Sequence, residues 1–256
     1  MSIIEKNELF LLEEIVKKNF ASKYKDSVLG ILWSVLRPLL MMIIFTIIFS
    51  TLFGKNLEYY PVYILSGRCI FDFFSATTTA AMGSLKHNKN ILQKTAAPKY
   101  IFVLGSIISE FLNFFISFII LIAVMIVINA PFYIPLMFLS VIPVISLVIM
   151  ITGLSLILSI VSVYYTDIQH LWGVVTLMLM YACAIFYPVT IVPEPYYSYM
   201  ILNPLFWFID QFRCFIYQGT IPSMLNIVNS YLLSLIVLVI GIIIFKKFED
   251  KVIMKF

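Results

Sequence analysis

From Phe111 to Thr166 the chain carries no Asp, Glu, Lys or Arg, and Cys214 to Phe245 is a second uncharged run. A third extends from Leu39 to Gly54. A helix needs about 20 apolar residues to cross a hydrocarbon core of roughly 30 Å. The first run therefore holds the end of one crossing and the whole of another. Of the 256 residues, 62% are hydrophobic and 12% charged, whereas a soluble domain carries about 25% charged residues. Too few polar groups are present to cover a water-facing surface. The apolar runs are continuous and do not alternate, which excludes a β-barrel. The expected fold class is all-α: a polytopic membrane protein forming a single domain over residues 1–256.

Six crossings are expected, near residues 36–53, 61–82, 100–128, 136–163, 170–187 and 226–245. The third and fourth are separated at Asn129–Pro135, where paired prolines end helices, and the fifth stops at Tyr187-Pro188. The N-terminal segment holds Lys6, Lys17, Lys18, Lys23, Lys25 and Arg37. The loop after the second crossing holds Lys86, Lys89, Lys94 and Lys99, and the C-terminus Lys246, Lys247, Lys251 and Lys255. The alternate loops hold only Lys55 and Arg213. Positive charge collects on the cytoplasmic side, so both termini and the 84–99 loop are expected there. In residues 188–225, Pro188, Pro193, Pro195, Pro204 and Pro222 break up apolar pieces such as Phe206–Ile209, too short to cross. They read as short re-entrant or interfacial helices on the outer side, or as an outer loop with an aromatic anchor.

Residues 2–22 read as an amphipathic helix at the membrane surface, leading straight into the first crossing. Ser2 and Glu5 fit a capping box. Acids come early, and Lys17 and Lys18 come late, as the helix dipole favours. Glu13–Lys17 and Glu14–Lys18 are i,i+4 pairs. Leu9, Leu12, Val16 and Phe20 share a face, flanked by Leu11 and Ile15 and interrupted by Glu8 and Asn19. Four glutamates and no small-residue cleavage site argue against a signal peptide.

Little here supports catalysis. Gly54-Lys55 lacks the surroundings of a nucleotide-binding loop. His87 and His170 stand alone, and Cys69, Cys183 and Cys214 lack metal-ligand spacing, so they read as small buried hydrophobes. The net charge of +4 is spent on orientation and does not point to nucleic acid. No catalytic residue, metal ligand or cofactor is expected on this chain. Two constellations stand out. In the 84–99 loop, Lys86, His87, Asn88, Lys89, Asn90, Gln93 and Lys94 surround a small apolar patch of Leu85, Ile91 and Leu92. A short helix there would dock on a cytoplasmic partner, or the loop is a solvated basic segment that only fixes topology. Within the crossings lie Arg68, Asp72 and Glu110. At ~1.5 Å per residue, Arg68 is about 10 Å below the outer end of its helix and Glu110 about 16 Å above the inner end of its own. These depths bring the three into one expected polar cluster. Intramembrane charges are paired or functional: this cluster either joins two helices or touches an anionic substrate.

The boundary stretch Lys23–Pro38 narrows the field. Tyr24, Lys25, Ser27, Leu29, Gly30, Trp33 and Pro38 resemble the N-terminal motif of ABC-2 type permeases. The likeness is to the group that exports lipid-linked polysaccharides and polyol phosphates: O-antigen, capsule and teichoic acid. Leu65-Ser66-Gly67, Asn88–Lys99 with Pro98, Tyr165-Thr166-Asp167-Ile168, Asn203-Pro204 and Phe212-Arg213 resemble further family elements in order. Thr166 stands where many relatives have Arg, and Arg68 where the family usually has an uncharged residue.

The resemblance implies a subunit in the cytoplasmic membrane of a prokaryote, two copies pairing with two copies of a separate ATPase that binds ATP and Mg. Residues 84–99 would include the coupling helix. The N-terminal helix would be a gate near the head of the lipid-linked substrate, with Tyr24, Lys25, Ser27, Trp33 and Arg37 at the substrate's way in. The polymer would leave between the two copies, which sit among membrane lipids. A permease for drugs or small lipids is the nearest rival, disfavoured by the compact length and by the Ser-x-Leu-Gly-x-x-Trp motif. An intramembrane enzyme would need clustered reactive side chains that the sequence lacks. A purely structural partner would need neither a basic docking loop nor mid-membrane charges.

Overall fold

A computed structural model describes residues 3–23, 27–53, 59–95, 97–252 and 255. Eleven α-helices follow one another: α1 Ile3–Ser22, α2 Leu32–Phe53, α3 Tyr60–His87, α4 Lys89–Lys94, α5 Tyr100–Val127, α6 Ile134–Leu139, α7 Val141–Tyr164, α8 Ile168–Ala182, α9 Glu194–Ile201, α10 Pro204–Arg213 and α11 Met224–Val252. No strand occurs among the described residues. Among the described residues four helical stretches are long and apolar enough to cross a membrane: 32–49, 100–127, 134–164 and 224–252. α8 is apolar but shorter, and α3 is long but carries Arg68, Asp72 and several hydroxyls.

α3 tolerates those groups because protein surrounds it. It packs against α2, α5, α7, α8 and α10, and nineteen of its 28 residues are buried. Three of its hydroxyls return to their own helix: Ser66 Oγ donates to Tyr63 O (3.0 Å), Thr78 Oγ1 to Phe74 O (2.9 Å) and Ser84 Oγ to Ala81 O (2.7 Å). Such back-bonding satisfies a hydroxyl without water.

α7 and α11 meet at their glycines. A Cβ added to Gly153 would lie 2.5 Å from both Leu238 Cα and Val237 O, so the two main chains touch there. Gly241 faces the Gly153 backbone from the other side, and Ser146 and Ser234 share a hydrogen bond of 3.1 Å. Small residues allow this close approach, the usual basis of helix association in lipid.

α1 packs on the first half of α5. Gly105 leaves a notch for Ile15: a Cβ there would lie 2.5 Å from Ile15 Cγ2. The buried face is therefore centred on Ile15, with Leu11 and Leu12 partly covered, while Leu9 is exposed. That corrects the expected Leu9–Leu12–Val16–Phe20 stripe. The notch that decides it lies in α5, out of reach of any periodicity in α1. Lys17 pairs with Glu13 at 2.8 Å, as expected, and also takes Glu14 at 3.2 Å. The hydrogen bonds that Lys17 donates to Glu13 and then Glu14 raise its pKa above the ordinary lysine value. Lys18 instead reaches Asn88. The capping box lies outside the described side chains.

The 188–225 region is no plain outer loop. Leu205, Phe206, Phe208, Ile209, Gln211, Phe212 and Arg213 of α10 are buried, and α10 packs on α3, α7 and α11. Beneath it the chain leaves helical geometry after Ala182, with Ala184 at φ 48°. Four successive buried carbonyls would be orphaned, and buried backbone acceptors need donors from within the protein. α3 and α10 supply the donors. Tyr60 Oη donates to Phe186 O (2.5 Å). Tyr63 Oη lies 2.7 Å from Ala184 O and 2.6 Å from Tyr187 O, donating to one at a time. Arg213 donates to Ala184 O (3.1 Å), Ile185 O (3.4 Å) and Tyr63 O (3.0 Å), with its guanidinium 3.6 Å above the Tyr63 ring. Gly67 admits it: a Cβ there would lie 2.6 Å from Arg213 Nη2.

Two outcomes follow from this packing. Gly241→Leu forces the α7 and α11 main chains apart and lowers stability by about 1–3 kcal/mol or more, read as the unfolding midpoint in detergent. Tyr63→Phe withdraws the hydroxyl shared by two buried carbonyls and lowers the same midpoint by about 1–3 kcal/mol.

Candidate functional site

A cavity of about 750 Å³ opens between α2, α3 and α5. α2 contributes Trp33, Ser34 and Arg37, α3 contributes Arg68, Asp72, Ser75 and Thr79, α5 contributes Glu110, Asn113 and Ser117, and Lys23 closes it from the end of α1. Of the expected gate residues Trp33 and Arg37 line this space, together with Arg68, Asp72 and Glu110.

Its charges form two pairs. Arg68 Nη2 meets Asp72 Oδ1 at 2.8 Å, one turn along α3, and the Arg68 guanidinium also lies 5.8 Å from the Phe45 ring of α2. Glu110 does not join them in a three-membered cluster. Lys23 Nζ reaches its Oε1 at 2.5 Å and its Oε2 at 2.6 Å, and Asn113 Nδ2 donates to Oε2 at 3.2 Å. The Glu110 side chain is 3% exposed and that of Lys23 37%. A carboxylate buried so far requires a cation, and Lys23 was counted in the sequence only for orientation. The signal that identifies the pair is the lone acid of an apolar crossing set against the boundary lysine.

The α1–α5 contact makes this pairing possible. Glu8 accepts from Tyr100 Oη at 3.2 Å at one end of it, and Lys23, just past the end of α1, meets Glu110 at the other.

Chain reversal into α2 explains the glycine of the boundary motif. Gly30 N donates to Ser27 O at 3.1 Å with φ at +50°, a left-handed turn that glycine enters without strain. Val28, Leu29, Ile31 and Leu32 project from this turn. Ser27 is half-buried, and Trp33 and Arg37 are exposed toward the cavity side of α2. Tyr24 and Lys25 lie outside the described residues. Pro38 lacks the donor that would bond the Ser34 carbonyl in an unbroken helix. Among the described residues Arg37 forms no ion pair. The cavity lining thus holds three cations and two carboxylates, a surplus of one positive charge, and Asp72 lies in the field of both Arg68 and Arg37.

The 84–99 segment breaks at Asn88. Lys86 and His87 end α3, Asn88 is buried, and α4 holds Lys89 to Lys94. Lys86, Asn90 and Lys94 therefore do not share one continuous helix, because the break turns α4 away. Asn90, Gln93 and Lys94 are exposed, as is His87, while Leu92 is buried and Ile91 and Lys89 are half-covered. Asn88 Nδ2 donates to Ser84 O (2.8 Å), and its Oδ1 accepts from Lys18 of α1 (2.9 Å). Lys86 Nζ reaches Thr166 Oγ1 at 3.4 Å. His170 sits in the first turn of α8. Among the described residues no group of three His, Cys, Asp or Glu side chains could hold a metal ion, and the three cysteines are free and buried.

Lys23→Met leaves the Glu110 carboxylate buried without a cation. It is expected to lower stability by about 3–5 kcal/mol, and Lys23→Met/Glu110→Leu to regain most of that. Chemical unfolding of the variants in detergent measures both.

The sequence profile described as ABC-2 type transporter matches residues 11–217. Among similar curated proteins is the "O-antigen export system permease protein RfbA" of Klebsiella pneumoniae, 28% identical over 243 residues, 93% of this chain and 92% of that protein. A protein of the same description from Myxococcus xanthus is 24% identical over 218 residues, 83% of this chain and 82% of its own. The "Polysialic acid transport protein KpsM" of Escherichia coli is 22% identical over 242 residues, 93% of each.

Proposed function

Because the chain belongs to the ABC-2 type transporter family, we propose that it is the membrane permease subunit of an ATP-driven exporter of a lipid-linked polysaccharide. The observation that carries this reading is the likeness to O-antigen and polysialic acid export proteins over 93% of the chain. In this reading two copies stand in the inner membrane with two copies of a separate ATPase, which binds ATP and Mg. α3 and α8 join the four apolar stretches as crossings, and both termini and α4 face the cytoplasm. α8 crosses by extension through the buried non-helical segment that follows it.

The charged cavity receives the phosphate end of the lipid carrier. Arg37, which makes no salt bridge among the described residues and shares the field of Asp72 with Arg68, suits a phosphate oxygen through charge-assisted hydrogen bonds. The polymer passes between the two copies. α4 is the coupling helix: Asn90, Gln93 and Lys94, with His87 beside them, present its exposed face to the ATPase. The Lys18–Asn88 hydrogen bond carries α4 movement into α1, and from there to the cavity.

Purification of the tagged chain with its genomic neighbours is expected to recover a nucleotide-binding ATPase. Substitution of Asn90, Gln93 and Lys94 together by Glu is expected to abolish transport-coupled ATP hydrolysis while the chain still inserts and folds. Failure to recover an ATPase, or hydrolysis unchanged by the triple substitution, overturns the proposal.

A further inference from the structure

A second cavity, of about 680 Å³, opens between α5, α6 and α7, on a different face of α5 from the charged one. No charged side chain lines it. Ser140 is the single polar residue of its lining, and that hydroxyl is already spent on Met137 O at 2.6 Å. A sugar or a phosphate entering this space loses its water and finds no side chain to bond. Hydrocarbon loses nothing there.

The surroundings say where the hydrocarbon comes from. α5 and the α6–α7 stretch are both long and apolar enough to cross a membrane, so the mouth between them opens onto lipid chains. α6, Ile-Pro-Leu-Met-Phe-Leu, has no buried residue. Ile134 and Phe138, which line the cavity, are 63% and 75% exposed. A wholly apolar helix left so bare by protein belongs against lipid. The inner wall is different: Ile107, Val144 and Phe212 there are buried, so the space reaches into the protein.

Size and depth select the occupant. At about 30 Å³ per methylene, the share of a water molecule in the liquid, the space holds roughly 20 carbons. That is one acyl chain, and not the whole of a long polyprenyl tail. The cavity follows α7 from Val141 to Ile149, about 12 Å along the helix. One leaflet of a hydrocarbon core fills about 15 Å.

With the orientation taken from the proposed function, we infer that this cavity is a binding site for one acyl chain of an outer-leaflet phospholipid, a resident lipid distinct from the exported one. The chain lies along a row of rings that reaches the charged cavity. Phe212 of α10 stands 6.1 Å from Phe118, Phe118 stands 6.4 Å from Phe114, and Phe114 stands 5.1 Å from Phe73. Phe114 and Phe73 also line the charged cavity. The bound chain therefore braces that wall from behind and holds α6 onto α5 and α7.

The test transfers the full chain from its membrane into dodecyl maltoside and reads retained phospholipid by native mass spectrometry. A single phospholipid per chain is expected to survive the exchange. Phosphatidylethanolamine with a diazirine at one acyl end is then added and photolysed. Its label is expected on Phe111, Phe115, Phe138 and Ile145 in preference to Leu232 and Ile236, equally bare residues of α11. Ile145→Trp fills the mouth. Loss of room for two methylenes weakens retention about tenfold. Val141→Trp repeats the measurement at a second exposed rim position, and Leu232→Trp on α11 leaves retention unchanged.

Release of all phospholipid on exchange, or a label spread evenly over the cavity and α11, overturns the site. Retention indifferent to both rim substitutions overturns its location. A polyprenyl phosphate in the retained fraction instead of a phospholipid overturns the occupant, as does a Phe138→Cys chain that forms a disulfide with a second copy. ATPase recovery and polymer export are read separately. An exporter that retains no lipid refutes the site alone, and a chain that retains it but exports no polysaccharide refutes the function alone.

Discussion

A helix bearing an arginine, an aspartate and a row of hydroxyls can lie in hydrocarbon only where other helices replace the lipid around it, and α3 imposes that demand on the whole chain. α5 and α7 cover its long faces, α10 folds inward to cover its outer half, and α2 and α8 close the remainder. The inward fold of α10 in turn brings Arg213 to the carbonyls of 184 and 185. These, with their neighbours at 186 and 187, would otherwise lack donors. Where the cover over α3 is thinnest, toward α2, its charges open into the cavity. The architecture and the candidate site therefore answer the same requirement.

The second organising contact is the stitching of α1 to α5. Ile15 in the Gly105 notch fixes the register, and Glu8–Tyr100, Lys18–Asn88 and Lys23–Glu110 bind the helix at its beginning, toward its end and just beyond it. A helix fastened at three heights reports the position of each partner to the others. Its attachment to the α3–α4 break and its attachment to the cavity wall belong to one rigid element of about 30 Å.

Much of this was legible in the sequence. The uncharged runs located α2, α5, α7 and α11, and the prolines at 131 and 135 located the α5–α7 junction, because those signals are local and compositional. α3 was expected as a crossing from its flanks; it forms a long helix over Tyr60–His87, with a composition too polar for a lipid-facing one. The boundary motif pointed to the cavity wall, and Arg68–Asp72 followed from i,i+4 spacing. What the sequence could not supply were contacts between distant segments. Lys23 and Glu110 are 87 residues apart, and Arg213 and Tyr63 are 150 apart. Neither pair leaves a periodic trace. The break at Asn88 escaped notice for a different reason: it depends on Lys18 and Ser84 capturing the Asn88 side chain, and not on any proline or glycine.

The glycine contact between α7 and α11 has a mechanical meaning. Two side-chain layers can slide by changing rotamers, but main chain against main chain has no such slack, so these helices travel together or not at all. They act as the frame of the molecule. α2 is the opposite case, since none of residues 32–49 is buried. Such a helix rests on its neighbours without being embedded in them, and the charged cavity lies along the side it turns to α3 and α5.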